Sequence, residues 1–424
     1  MNFDLILAVI FYLLILLFYL KNKKKFDVQG KIFLLYKTKL GLKLMDKIAS
    51  KPSKNSKRFG LISLVLSVII LILFKSVLIF ILLFILAIIL IKPLRLIGFM
   101  GIIIGFLGMF FIFYYLIHAT YKLIFVPEAI PALAPVLPGI EIIPGLPVLG
   151  FWHWIITILI VAAIHEFSHG IFARLYKIKI KSSGFAFLGP ILAAFVEPDE
   201  KQLKKKPKKQ QLAVFSAGPF SNLILGFLLF LFIPLIFSPI GSFISEPDGL
   251  VIQNIQINSS AYHAGVQSGT KIIGINNIST LNSISFFNEF QKHNNSFILN
   301  TDKGEFLIKP DGEHKLGVTL TEHLIPKHGT SQFILSMYLW IITLLKWLFM
   351  ITIGIGLFNL LPLGPVDGGR MFYVTLLIFT KDEKKAKNIW SYVGFTCLAL
   401  IVINLLPFIF KLLNFIFQPI LNLF

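Results

Sequence analysis

Residues 150–175 read GFWHWIITILIVAAIHEFSHGIFARL, and this stretch decides the fold. Its ionisable side chains are confined to His153, His165, Glu166, His169 and Arg174, and it contains no proline. As an α-helix these residues would run about 39 Å, enough to cross a hydrocarbon core about 30 Å thick. His165 and His169 lie one helical turn apart, so both imidazoles project from one face and can ligate a single metal ion. Two neutral imidazoles suit Zn²⁺. Glu166 stands one position round the helix, where it can take a proton from a water that the metal acidifies without itself being a ligand. A charge at membrane depth costs about 2.5–3.5 kcal/mol on insertion scales, so Glu166 calls for a functional reason.

The rest of the chain agrees with a membrane setting. Of 424 residues, 56% are hydrophobic and only 14% charged, and 44 are Phe. Such a chain cannot cover itself with polar surface, which excludes both a soluble globular protein and a disordered one. The formal charge of +20 does not point to nucleic acid, because no reading motif accompanies it and the basic residues are clustered. Thirteen lie in 21–58 and six in 201–209, beside apolar runs. By the positive-inside rule these are cytoplasmic loops, suited to anionic lipid head groups. The single cysteine, Cys397, leaves no disulfide framework and no Cys-based metal site.

These signals predict a polytopic α-helical membrane protein with an inserted small, mostly β soluble domain. Residues 1–121 form an N-terminal transmembrane anchor and hairpin region. Its first run, 3–20, is an uncleaved anchor with the N-terminus outside. The run 60–91 is too long for one crossing and reads as a hairpin with Lys75 at its outer tip. Residues 122–149 carry six prolines and form an extracytoplasmic connector. Residues 150–240 and 331–410 are the two halves of a membrane core, with 411–424 an interfacial segment. Between the halves, 245–326 alternate apolar and polar residues with Asn- and Gly-rich breaks, the pattern of a small β domain outside the cytoplasm. Such a chain is expected in the cell membrane.

Two imidazoles do not complete a catalytic zinc site; a third protein ligand is expected. Asp367, in Asn359-Leu-Leu-Pro362-Leu-Gly-Pro-Val-Asp367-Gly368-Gly369, is the candidate, as the only acid between Glu322 and Asp382. Pro and Gly here break a long apolar helix, and non-helical backbone at membrane depth is tolerated only where protein buries it or a wet cavity receives it.

His-Glu-x-x-His in one helix and Asn-x-x-Pro-x-x-x-x-Asp-Gly in a later one, with Ala217-Gly218-Pro219-Phe220-Ser221-Asn222 between them, resemble the site-2 protease family of intramembrane zinc metalloproteases, peptidase family M50. The resemblance implies an intramembrane zinc endopeptidase that hydrolyses peptide bonds within or near transmembrane segments of other proteins. His165, His169 and Asp367 would hold one Zn²⁺ and Glu166 would be the general base. Asn359 and Asn222 would donate hydrogen bonds to the substrate or the developing oxyanion. Residues 182–210 resemble the family's membrane-associated β-loop, with Gly184, Gly189 and Pro190 as breaks, and would offer an edge to an unwound substrate strand. Residues 259–276 resemble a PDZ domain of the protease-associated type, with Thr270 where that pattern usually has an acid. The partners implied are transmembrane protein substrates and the lipid bilayer. The competing reading is a catalytically inactive membrane scaffold that binds peptides through the insert; loss of Glu166, a ligand or Asn359 would signal it, and all are present.

Overall fold

The computed structural model describes residues 3–29, 33–74, 76–126, 129–139, 148–188, 191–293, 295–309 and 315–421. Lys75, Gly189, Pro190 and connector residues 127–128 and 140–147 lie outside them, and with Lys75 so does the tip of the expected hairpin. The chain divides into two compact units: Met1–Pro138, Gly150–Phe230 and Trp347–Phe424 form the first, Gly139–Leu149 and Leu231–Lys346 the second.

The first unit begins with α1 (Phe3–Asn22), a β-hairpin of β1 (Phe26–Gln29) and β2 (Phe33–Thr38), and the short α2 (Leu42–Ala49). α3 (Lys54–Phe74) and α4 (Val77–Ile91) then run side by side, with the Ser56 hydroxyl donating to Leu90 O at 2.8 Å. α5 (Leu94–Phe125) and α6 (Phe151–Leu175) follow. After them come β3 (Ile180–Leu188), β4 (Ile191–Pro198), the single-turn α7 (Glu200–Lys204) and α8 (Lys208–Phe232). Among the described residues six helices are long and apolar enough to span a bilayer, at Lys54–Ile72, Leu94–Phe125, Phe151–Leu175, Lys208–Ile244, Gln332–Phe358 and Glu383–Phe410. Their outward faces keep large side chains uncovered, as at Phe110 and Phe395, which suits contact with lipid.

Close packing of these helices depends on small residues. Gly98, Gly101 and Gly105 form a stripe on α5, and a Cβ on Gly98 would lie 2.6 Å from the Phe172 ring of α6. A Cβ on Gly101 would meet Ser216 and Phe220 of α8 at 3.3 Å. Small residues let backbones approach where lipid supplies no hydrophobic drive for association.

The four strands of this unit form one antiparallel sheet in the order β1-β2-β3-β4. β1 and β2 come from the segment read as a basic loop. Leu34 pairs with Phe187 and Tyr36 with Phe185, while the Phe26 ring packs on Tyr36 and Phe187 with centroids 5.3 and 5.8 Å apart. Cross-strand aromatic pairs of this kind stabilise a sheet by about 0.2–1 kcal/mol each. Extended structure ends at Pro198, so the expected β-loop is helical over Glu200–Lys204 and again from Lys208, with a turn between.

The second unit takes over α8's chain at a short π-helical segment, Ile233–Phe237, and α9 (Ser238–Ile244). Its insert comprises β5 (Ser245–Ile255), α10 (Ser260–His263), β6 (Lys271–Ile275), β7 (Ile278–Ser279), α11 (Ser283–Phe290), β8 (Phe297–Thr301), β9 (Gly304–Ile308) and β10 (Val318–Pro326). The sheet order is β10-β5-β6-β8-β9, with β7 on β6, all antiparallel. Leu250, Ile252, Ile272, Ile275, Phe286, Phe297, Leu299 and Ile308 make a core of its own. A groove of about 650 Å³ runs between β10 and α11, floored by Phe286, Phe290, Leu316, Val318 and Leu320. Thr270 is fully buried with its hydroxyl unpartnered.

α12 (Gln332–Phe358) enters the first unit at Trp347. α13 (Asp367–Thr380) and α14 (Glu383–Leu421) close the chain. α13, about 21 Å long, falls short of a bilayer core. Helix α14 continues through most of the stretch assigned to a separate interfacial segment.

Candidate metal centre

The site lies entirely in the first unit. α6 contributes His165 and His169, both under 10% exposed, and α13 contributes Asp367 as its first residue. The loop before α13 sets that carboxylate. Gly368 N donates to Asn359 O at 2.7 Å, folding the start of α13 back on the end of α12. A Cβ on Gly368 would strike Leu360 O, and one on Gly369 would strike Leu363 O, so only glycine fits at either place. Trp390 of α14 then donates its indole N–H to Gly369 O at 2.9 Å.

His165 Nε2 lies 3.0 Å from Asp367 Oδ2, His169 Nε2 lies 3.2 Å from the same oxygen, and the two Nε2 atoms are 3.2 Å apart. Ligands at three corners of a tetrahedron round zinc, with bonds of about 2.0–2.1 Å, stand about 3.3 Å apart, so this triangle fits the ion and leaves a fourth corner open. Among the described residues this is the one group of three such ligand atoms within 4.8 Å of one another. The donor set, two imidazoles and a carboxylate, is one that suits zinc.

Neighbouring groups hold the rings. His169 Nδ1 lies 2.7 Å from Val214 O. A carbonyl only accepts, so Nδ1 carries the proton and Nε2 keeps a free lone pair. His165 Nδ1 lies 3.2 Å from the side-chain nitrogen of Asn222, which is wholly buried in α8. α8 approaches this closely because residue 218 has no side chain: a Cβ there would stand 2.5 Å from His165 Nε2 and closer still to His169 Nε2.

Glu166 lies outside the ligand triangle. Its Oε2 accepts the Val196 backbone N–H of β4 at 3.0 Å. β4 pairs with β3 on one side and faces α6 with the other. Gly170, one turn beyond Glu166, admits Met45 of α2 and Val196 against the helix.

His165, Glu166, His169, Asn222 and Asp367, quoted from three separated segments, are therefore gathered at one place. Asn359 is oriented differently. Its side-chain amide donates to Ile355 O at 3.0 Å, one turn back along its own helix, and its backbone oxygen serves the loop. Asn222 sits well inside α8, with no capping role available there. Sequence reasoning gave no part to Val214, Val196 or Gly218. For Gly218 a signal existed, a glycine followed by proline inside a long apolar helix, where neither favours helix unless close approach requires it.

A family model described as peptidase family M50 matches residues 153–401. A protein of Methanocaldococcus jannaschii, named only as uncharacterised, is 30% identical over 402 residues, covering 92% of this chain and 89% of the relative.

Proposed function

Given that the chain belongs to peptidase family M50, we propose that it is an intramembrane zinc endopeptidase acting on transmembrane segments of other membrane proteins. The observation that carries this reading is the triangle of His165 Nε2, His169 Nε2 and Asp367 Oδ2 on helices apolar enough to span a bilayer. His165, His169 and Asp367 would hold the ion. Zinc bound there supplies a Lewis acid that polarises a carbonyl and makes a water acidic near neutral pH. Glu166 is the base that takes the proton and later delivers it to the leaving amine. Its hydrogen bond from Val196 aligns the carboxylate along β4. An edge of the β1-β2-β3-β4 sheet suits an unwound substrate strand, since a helical peptide hides the backbone that must be attacked. Asn359 would donate to the developing oxyanion once its side-chain amide releases Ile355 O. The groove between β10 and α11 supports a PDZ-like insert that docks an extended peptide. In this reading the lysine-rich loops face the cytoplasm of the cell membrane and the insert faces away from it.

The test is cleavage of a membrane-spanning substrate in proteoliposomes by the intact protein, Glu166→Gln and Asp367→Ala, with zinc measured on each. The reading expects cleavage by the intact protein alone, one zinc retained by Glu166→Gln, and zinc lost from Asp367→Ala. Folded intact protein that takes up no zinc would refute it.

A further inference from the structure

Asn222 occupies an expensive position. It is wholly buried in an apolar helix, α8, and packed between α6 and α12. Its backbone oxygen accepts from Thr352 Oγ1 at 3.3 Å, and Gly356 of α12 allows its Cβ a close approach. Its side-chain nitrogen faces His165 Nδ1 at 3.2 Å, while its side-chain oxygen is buried with no partner. A buried acceptor left unpaired costs about 1–3 kcal/mol.

The chemistry of His165 says what that amide is for. This imidazole turns Nε2 towards His169 and Asp367. A ring nitrogen that ligates a metal carries no proton, so the proton of the neutral ring is on Nδ1. An amide N–H₂ cannot accept it; an amide oxygen can. Turning the Asn222 amide by a half-turn about its last side-chain bond exchanges the two atoms in place. That single change brings the unpartnered oxygen onto the Nδ1–H and removes the donor-to-donor contact.

We infer that Asn222 is a positioning residue of the metal centre: its side-chain oxygen accepts the Nδ1–H of His165, holding that ring in the ligating tautomer and plane. Val214 O performs the same service for His169. The pair makes the site symmetrical, each ligating ring held from behind by an acceptor on α8. The role differs from a hydrogen bond to substrate, since the amide lies against the far nitrogen of a ligand. An amide also does this without adding a third charge to a buried site that already holds Asp367 and Glu166.

This inference rests on the zinc reading above, and the experiment separates the two. Full-length protein in detergent is titrated with Zn²⁺ against a competing chelator, comparing the parent with Asn222→Leu and Asn222→Asp. Uptake of zinc by the parent tests the site itself. Loss of an outer partner of a ligating histidine lowers metal affinity by roughly 10–100-fold, and that is the loss expected for Asn222→Leu. Asn222→Asp, which keeps an acceptor, should stay within a few-fold of the parent. A packing role would rank the variants the other way, because leucine suits a buried helix and aspartate does not. Equal affinity for Asn222→Leu and parent, or equal loss in both variants, overturns the proposal. Should the variants not fold, the Co²⁺-loaded parent gives a second reading. Two slowly exchanging ring N–H protons, shifted by the metal, are expected in its NMR spectrum, and one alone would refute the His165 bond.

Discussion

Gly218→Ala adds one methyl group to α8 and should empty the metal centre. The new carbon would stand 2.5 Å from His165 Nε2 and 2.7 Å from His165 Cδ2, with His169 Nε2 nearer than either. Atoms of these kinds rest about 3.5 Å apart, so one partner must withdraw by about 1 Å. The helix cannot: Ala217 is buried at 3% exposure, and Ser216 and Phe220 already press on Gly101 of α5. The rings must move instead, and a metal site tolerates only about 0.2 Å in its ligand distances. A displacement of about 1 Å in a catalytic constellation can cost about 100-fold in rate. Zinc per mole of protein and initial cleavage rate in proteoliposomes are the assays. Gly354→Ala, on α12, is the control, because a Cβ there meets nothing within 4 Å. It makes the same chemical change in a helix and should leave zinc and rate unaltered. Parental zinc content and parental rate in Gly218→Ala would refute the argument that close approach of α8 builds the site.

Two further predictions concern stability. Asn404 of α14 is buried and donates to Thr120 Oγ1 of α5 at 2.6 Å while accepting Ala132 N at 3.0 Å. Asn404→Leu strands that backbone N–H, and a loss of about 1–3 kcal/mol is expected in denaturant unfolding monitored in detergent. In the insert, a hydrogen bond from Lys271 holds the Asp248 carboxyl below its ordinary value of 3.8, aided by His323. A lowered carboxyl stabilises the fold above its unfolded-state pKa, and that contribution is lost as pH falls below about 3.8 towards the folded value. Asp248→Asn should therefore lower the insert's stability modestly near pH 7 and converge on the parent as pH falls below about 3.8, so that the acid limb of its unfolding, followed by circular dichroism, is flattened.

Much of the architecture was legible because the bilayer imposes a coarse code. Apolar runs of the length of 150–175 and 332–358 announce spanning helices, and a polar alternating stretch such as 245–326 cannot lie among them. The metal motif was legible for a similar reason, since His165 and His169 are neighbours through the local geometry of one helix. β1 and β2 were hidden because thirteen basic residues in 21–58 dominate that segment, while the pairing partner of Leu34 is Phe187, far along the chain. The stripe Gly98, Gly101, Gly105 carries no local signal either: in an apolar helix every face is hydrophobic, so periodicity does not mark the packed one.

The sequence by itself determined the membrane setting, the insert, and the candidate histidine ligands, because each follows from composition or from spacing within one element. Tertiary structure decided what those ligands meet. Asp367 reaches His165 across 202 positions, Val196 takes hold of Glu166 across 30, and Asn222 stands behind His165 across 57. Such distances are closed by helix packing against glycine and by one loop folding back on α13, and neither is written in the local order of residues.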